Sequence, residues 1–262
     1  LDRRASILHH EEVVAAIEAQ QPFWRPGQGH GYHPRTFGAL LEEPVRRLTG
    51  LSLGDYWREE IAEPLDLDFW IGLPSCEWPR VATLYPGKAD KDELVDAFYK
   101  QLTTSGTFTR RAFSSPRGLH AVHEMNTPAA WAAGNPAMGG IGTARALAKF
   151  YQAAMGRLAS PLSAGVQRAL SALQSTAEDR VLLRRTAFTC GAQQDPLDGY
   201  GQKQRHIYGP SIRAFGHPGA GGSHAFGDPD SGVSFAYVMN QMDLSVMPGA
   251  KCLGMVSALF ER

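Results

Sequence analysis

The run Ser211-Ile212-Arg213-Ala214-Phe215-Gly216-His217-Pro218-Gly219-Ala220-Gly221-Gly222-Ser223-His224-Ala225-Phe226 sets a histidine directly before a cluster of small residues. An imidazole changes charge near neutral pH and can bind or move a proton. Glycines too small to pack a core leave the neighbouring backbone open to close approach. On these residues alone, a glycine-rich bulge or turn with no ligand explains the pattern equally well. The punctuation Gly227-Asp228-Pro229-Asp230-Ser231-Gly232 follows, then a second β-rich run from Val233 to Asn240. The two runs read as the strands of an antiparallel hairpin. A second chemical group lies far upstream, in Gly29-His30-Gly31-Tyr32-His33-Pro34-Arg35. Taken alone, a tyrosine in such a Pro/Gly linker serves surface or packing.

Other reactive-looking strings are weaker. Gly50-Leu51-Ser52-Leu53-Gly54 fits the Gly-x-Ser-x-Gly pattern of a nucleophile elbow, which needs a buried strand before it and a helix after. A helical pattern, Glu42 to Leu48, precedes it instead, so Ser52 is set aside. His9-His10-Glu11-Glu12 and His120-x-x-His123-Glu124 lack the two-histidine helical spacing and distant third ligand of a zinc site. Neither a metal nor a cofactor is expected, and the glycine clusters match no Rossmann or P-loop pattern. Arg110, Arg111 and Arg117 read as solvated loop residues rather than an anion site.

The elements that must carry these groups follow from periodicity. Helices are expected at Glu11–Gln20, Thr36–Leu48, Leu53–Ile61, Lys91–Leu102, Thr143–Met155, Ser163–Leu173 and Ala250–Phe260. Pro44 predicts a kink or restart in the second of these. Gly72–Gly87 reads as irregular and Thr103–Gly118 as a polar loop, and the pattern turns toward β near Val181. Helices thus fill residues 1–180, and strands with a closing helix fill 181–262. A chain of 262 residues with 43% hydrophobic and 20% charged residues can bury a real core. Lys plus Arg and Asp plus Glu both number 26, so neither nucleic acid nor an anionic membrane is an expected partner. No apolar run approaches the roughly 18 residues of a membrane span. Cys76, Cys190 and Cys252 are far apart and without metal spacing, which favours a reduced, cytoplasmic setting. The chain opens on Leu1 rather than methionine, so it is expected to be a segment of something longer.

His217-Pro218-Gly219-Ala220-Gly221-Gly222-Ser223 resembles the third motif of the serine β-lactamase and penicillin-binding protein superfamily, Lys-Thr-Gly in its commonest form. In class C β-lactamase-like esterases histidine often replaces that lysine. The stretch around Tyr32 is similar to the family's Tyr-x-Asn region, with Pro34 where the asparagine belongs. Met138-Gly139-Gly140-Ile141-Gly142-Thr143-Ala144 is similar to the family's Gly-Gly-x-x-Ser-Thr-Ala helix start, a wall of the site. The resemblance runs from about residue 11 to residue 260.

The resemblance implies an α/β (α+β) fold of the β-lactamase/transpeptidase type, an antiparallel sheet flanked by helices beside a mostly helical region. It implies a serine hydrolase that cleaves small carboxylic esters or amides through an acyl-enzyme. Tyr32 would be the catalytic proton-transfer partner. His217 and Gly219 would line the pocket, His217 binding the leaving group or the acyl oxygen, and the Ala220 N–H would be an oxyanion donor. The family's nucleophile lies in Ser-x-x-Lys, and no lysine here follows a serine by three. Tyr85, Lys88, Ala97, Ala146, Tyr200 and Pro248 stand at those places. The nucleophile is therefore expected on an N-terminal segment outside this chain, leaving the chain alone inactive and a flank of the Ile212–Phe226 run open. The alternative is a binding or scaffold protein of the same fold that has lost its nucleophile.

Overall fold

A computed structural model describes residues 1, 4–87 and 97–261. The helical region supplies α1 (His10–Glu18), α2 (Phe37–Thr49) and α3 (Leu53–Trp57), the last continued by a π-helical turn, Arg58–Ala62. It continues through β1 (Phe69–Ile71), a 3-10 turn at Ser75–Arg80, α4 (Ala97–Thr103), α5 (Phe108–Ser114), α6 (Val122–Met125) and α7 (Pro128–Ala133). After β2 (Gly140–Gly142) come α8 (Ala144–Ala154) and α9 (Ala164–Ser171). The strands β3 (Ser175–Asp179), β4 (Arg184–Phe188), β5 (Gln193–Gln194), β6 (Phe215–Pro218), β7 (His224–Asp228) and β8 (Val233–Tyr237) follow, then α10 (Ala250–Phe260).

Local chemistry explains most helix boundaries. The Ser52, Thr107, Thr127, Thr143 and Ser163 side chains each accept a hydrogen bond from the backbone N–H three residues on, as N-caps do. Several expectations need correcting. α2 runs through Pro44 as one helix, so the chain does not restart there. Proline deprives the Leu40 carbonyl of its helical donor, and Leu40 is exposed, so water can replace the lost bond. The expected loop at 103–118 contains α5, started by the Thr107 cap. Residues 91–96 of the expected helix at Lys91–Leu102 lie outside the described residues. The strands begin at Ser175, ahead of Val181. β1 and β2 form an unforeseen antiparallel pair, Phe69 opposite Gly142.

The large sheet is antiparallel throughout, in the order β3-β4-β5-β6-β7-β8. Ser211–Phe226 is not one strand, as the sequence predicts, but two. β6 and β7 pair with His217 opposite Ala225, and the chain reverses at Gly221 and Gly222. Both glycines have φ near +100° (93° and 108°), which side-chain-bearing residues rarely adopt. β7 then forms the expected hairpin with β8. The run is consequently flanked on both sides, by β5 and β8, so its expected open flank is absent. Among the described residues, the free edges belong to β3 and β8.

Strand alternation divides the core. Phe215 and Ala225 pack toward α8 with Tyr151 and Ala154. Phe226 packs the other way, with Val256 and Phe260 of α10. No helix among the described residues is long and apolar enough to cross a membrane.

Candidate functional site

Tyr32 sits in the irregular segment before α2. Gly31 makes its approach possible, since a Cβ there would meet the Trp24 ring at 2.9 Å and Val181 at 3.2 Å. The Tyr32 N–H donates to Asp179 Oδ1 at 3.1 Å. The same oxygen accepts from Val181 and Leu182 N–H, both at 2.8 Å. Asp179, its side chain fully buried at the end of β3, thereby staples the tyrosine loop to the β3–β4 turn. His30 reinforces the staple through Thr186 Oγ1 at 2.6 Å.

This anchoring brings together two residues 185 positions apart in sequence (217 − 32). The Tyr32 and His217 rings stack with centroids 6.0 Å apart and planes 27° apart. Phe188 of β4 lies parallel to Tyr32 on another side, at 6.3 Å and 10°. Burial first, and the Asp179 charge second, push the phenol up to about 12. An uncharged hydroxyl is the resting form there, and a nearby cation is needed before it can act as a base.

His217 closes β6. Its Nδ1 reaches the Pro218 carbonyl at 2.8 Å and its Nε2 lies 3.2 Å from Gln193 Nε2. Burial chiefly, with the Arg205 charge adding, holds the imidazole below the ordinary histidine range. Pro218 is tolerated because β5 reaches β6 only at Gly216, leaving that flank unpaired beyond it. Gly219 starts the turn, its N–H donating to Ser223 O at 2.7 Å. Ala220 is exposed at the tip, and its N–H has no partner among the described residues. Tyr32, Phe188 and His217 thus form one aromatic group carrying a phenol, and Ala220 follows His217 by three residues.

The other candidates stand elsewhere. Ser52 is a helix cap whose hydroxyl donates to Asp55 at 2.6 Å, after a helix and on no strand. Arg110 donates to Leu102 O, Arg117 to Arg4 O, and Arg111 lies over the Phe23 ring, so they form no common anion site. No group of three His, Cys, Asp or Glu among the described residues is arranged to hold a metal. Residues that sequence reasoning missed include Asp179, Gln193, Asp195 and Arg205. Their partners are set by sheet register and long loops, which no local pattern encodes.

On the opposite face of the sheet, His224 is 1% exposed. Its Nε2–H donates to Ile207 O at 2.7 Å, and its Nδ1 has no partner. Burial above all holds it down to about 4, against about 6.5 in an unfolded chain. Below pH 6.5 the unfolded state binds a proton that the folded state refuses, so stability falls as pH drops toward 4. That single group is expected to remove about 3 kcal/mol by pH 4. Urea unfolding at pH 7 and pH 4 measures the loss, and His224→Gln should flatten it. An equal loss in both proteins would assign acid sensitivity elsewhere.

Comparison with known proteins gives a consistent answer. Residues 2–250 match the family described as Beta-lactamase. The chain is 31% identical over 250 residues to Esterase/beta-lactamase LipL of Mycobacterium tuberculosis, covering 90% of this chain and 53% of that protein. It is similar to the crystal structure of a penicillin-binding protein homolog from Caulobacter crescentus, with TM-score 0.77 and 30% identity, over 97% of this chain and 64% of that one. A family VIII carboxylesterase structure matches with TM-score 0.80 and 28% identity, over 96% and 63% of the two chains. The chain thus spans about half the length of the curated relative (53%) and under two thirds of these two solved chains.

Proposed function

Because the chain belongs to the beta-lactamase family, we propose that it carries the tyrosine and histidine walls of a serine hydrolase acting on small carboxylic esters. The observation that supports this reading is the stacking of Tyr32 on His217 at 6.0 Å, which brings residues of the two motifs side by side. Relatives described as an esterase/beta-lactamase and a carboxylesterase support the reaction class.

In this reading the nucleophilic serine and its lysine come from residues outside these 262. The lysine ammonium supplies the cation that Tyr32 needs. It brings the phenol down from about 12, so that Tyr32 can take the serine proton and return it to the leaving group. Attack on the ester carbonyl forms a tetrahedral oxyanion. The Ala220 N–H is one donor to it, worth about 3 kcal/mol by comparison with similar donors. The alkoxide then leaves with the proton held by Tyr32, and water cleaves the acyl-enzyme by the same route.

Two physical features support a further segment. A folded chain of 28.5 kDa exposes about 11,000 Å² by the usual scaling, whereas this one exposes 14459 Å². The outer edge of β8 also carries unpaired backbone groups, which natural sheets cover. A strand from the additional segment laid against β8 would satisfy the edge, and the remainder of that segment would cover the surplus surface.

The tyrosine motif has Pro34 where an asparagine amide would grip a substrate, and the third motif has a half-buried imidazole, held below the ordinary histidine range, in place of an ammonium. Neither can hold the carboxylate of a β-lactam. The completed protein is therefore expected to hydrolyse p-nitrophenyl acetate with a kcat/KM at least about 10²-fold above that for nitrocefin, the scale of one lost charged contact. Comparable values for the two would overturn the ester assignment.

A further inference from the structure

Beneath His217 lies a chain of polar groups that the proposed reaction does not use. Asp195, its side chain fully out of solvent, binds Lys203 Nζ at 2.8 Å and Arg205 Nε at 3.0 Å. The second arm of Arg205 donates from Nη2 to Gln193 Oε1 and to Gln194 O, both at 3.1 Å. A guanidinium can only donate, so the face of the Gln193 amide toward Arg205 must be its oxygen. The amide nitrogen is thereby turned toward His217 Nε2, 3.2 Å away. An amide nitrogen also only donates, so Nε2 must accept. The ring proton then resides on Nδ1, which donates to Pro218 O at 2.8 Å.

We propose that Asp195, Arg205 and Gln193 form a positioning relay that fixes His217 as the neutral Nδ1–H tautomer with its Nε2 lone pair occupied. Both ring nitrogens are spoken for by the protein. His217 therefore presents an aromatic face to Tyr32 and offers the substrate neither a proton nor a positive charge. Proton transfer falls to Tyr32 alone, and a substrate carboxylate finds no cation at this wall. Each link has one polarity only: the carboxylate orients the guanidinium, the guanidinium orients the amide, and the amide selects the tautomer. The inference rests on placing His217 in the hydrolase pocket, but the tautomer itself does not depend on turnover.

Among the described residues, the titratable and charged groups around the ring are Tyr32 from the loop before α2, Tyr151 from α8, Arg205 from the β5–β6 connection, and His224 of β7 on the other face of the sheet. Gln193→Glu is the informative change, because it keeps size and the Arg205 partner while turning a donor into an anionic acceptor. His217 should then carry a proton on Nε2 and titrate about one pH unit or more higher, as histidines beside a carboxylate do.

The test is long-range 15N–1H correlation spectroscopy of the 262-residue chain labelled at histidine, with His217 assigned by its loss in His217→Asn. In the unsubstituted protein His217 is expected to show the neutral Nδ1–H pattern above about pH 6.5, the ordinary histidine value. In Gln193→Glu it is expected to shift to an Nε2-protonated, titrating ring. An Nε2–H tautomer in the unsubstituted chain, or an unchanged ring in Gln193→Glu, would overturn the relay. The unsubstituted measurement decides the point even if Gln193→Glu does not fold. Absence of esterase activity in the completed protein, beside the expected tautomer, would sink the hydrolase reading and leave the relay standing.

Discussion

In the completed protein, Tyr32→Phe is expected to lower kcat by about 10²-fold or more, the usual scale for lost general acid–base help. The fold should be indifferent to the change. The ring keeps its stacking on Phe188 and His217 at 6.3 and 6.0 Å, and the loop keeps its backbone bond to Asp179 at 3.1 Å. What disappears is a hydroxyl held uncharged by burial, at about 12, until a cation approaches. Because the phenol acts in the proton-transfer step, the loss should appear in kcat with KM little altered. Steady-state kinetics on a p-nitrophenyl ester, with thermal unfolding as the control for folding, separate the two effects. A kcat within about threefold of the unsubstituted protein, with an unchanged melting temperature, would leave Tyr32 a packing residue.

Tyr32 and His217 stand out in the sequence through the two motifs that resemble the family's, Gly31-Tyr32 before a helix and His217-Pro218-Gly219, and their rings lie 6.0 Å apart in the fold. Sequence reading also found the Thr143 cap and the closing helix Ala250–Phe260, both written in nearest-neighbour chemistry. It failed where two local signals compete. Ser211–Phe226 has the composition of one strand, but Gly221 and Gly222 take left-handed backbone and fold it into two. Pro44 carries a helix-breaking signal, but its helix continues past it at a position where Leu40, whose carbonyl loses its donor, is exposed to water. The supports of the site were not legible at all. Asp179 meets Tyr32 across 147 positions, and Gln193 meets His217 across 24, through sheet register that no window of sequence contains.

The central claim is that these residues form part of a site whose nucleophile comes from elsewhere in the protein. Active-site serines become reactive when a base lowers the cost of removing their proton, and a fluorophosphonate probe labels only such serines. None of the lysines here follows a serine by three, and Ser52, the one elbow-like candidate, spends its hydroxyl on capping a helix. Labelling of the 262-residue chain with a fluorophosphonate is therefore the most direct measurement. The account predicts no labelled serine in the isolated chain, and strong labelling, at a serine outside residues 1–262, once the segment bearing Ser-x-x-Lys is present. Labelling of the isolated chain at Ser52, abolished by Ser52→Ala, would contradict it.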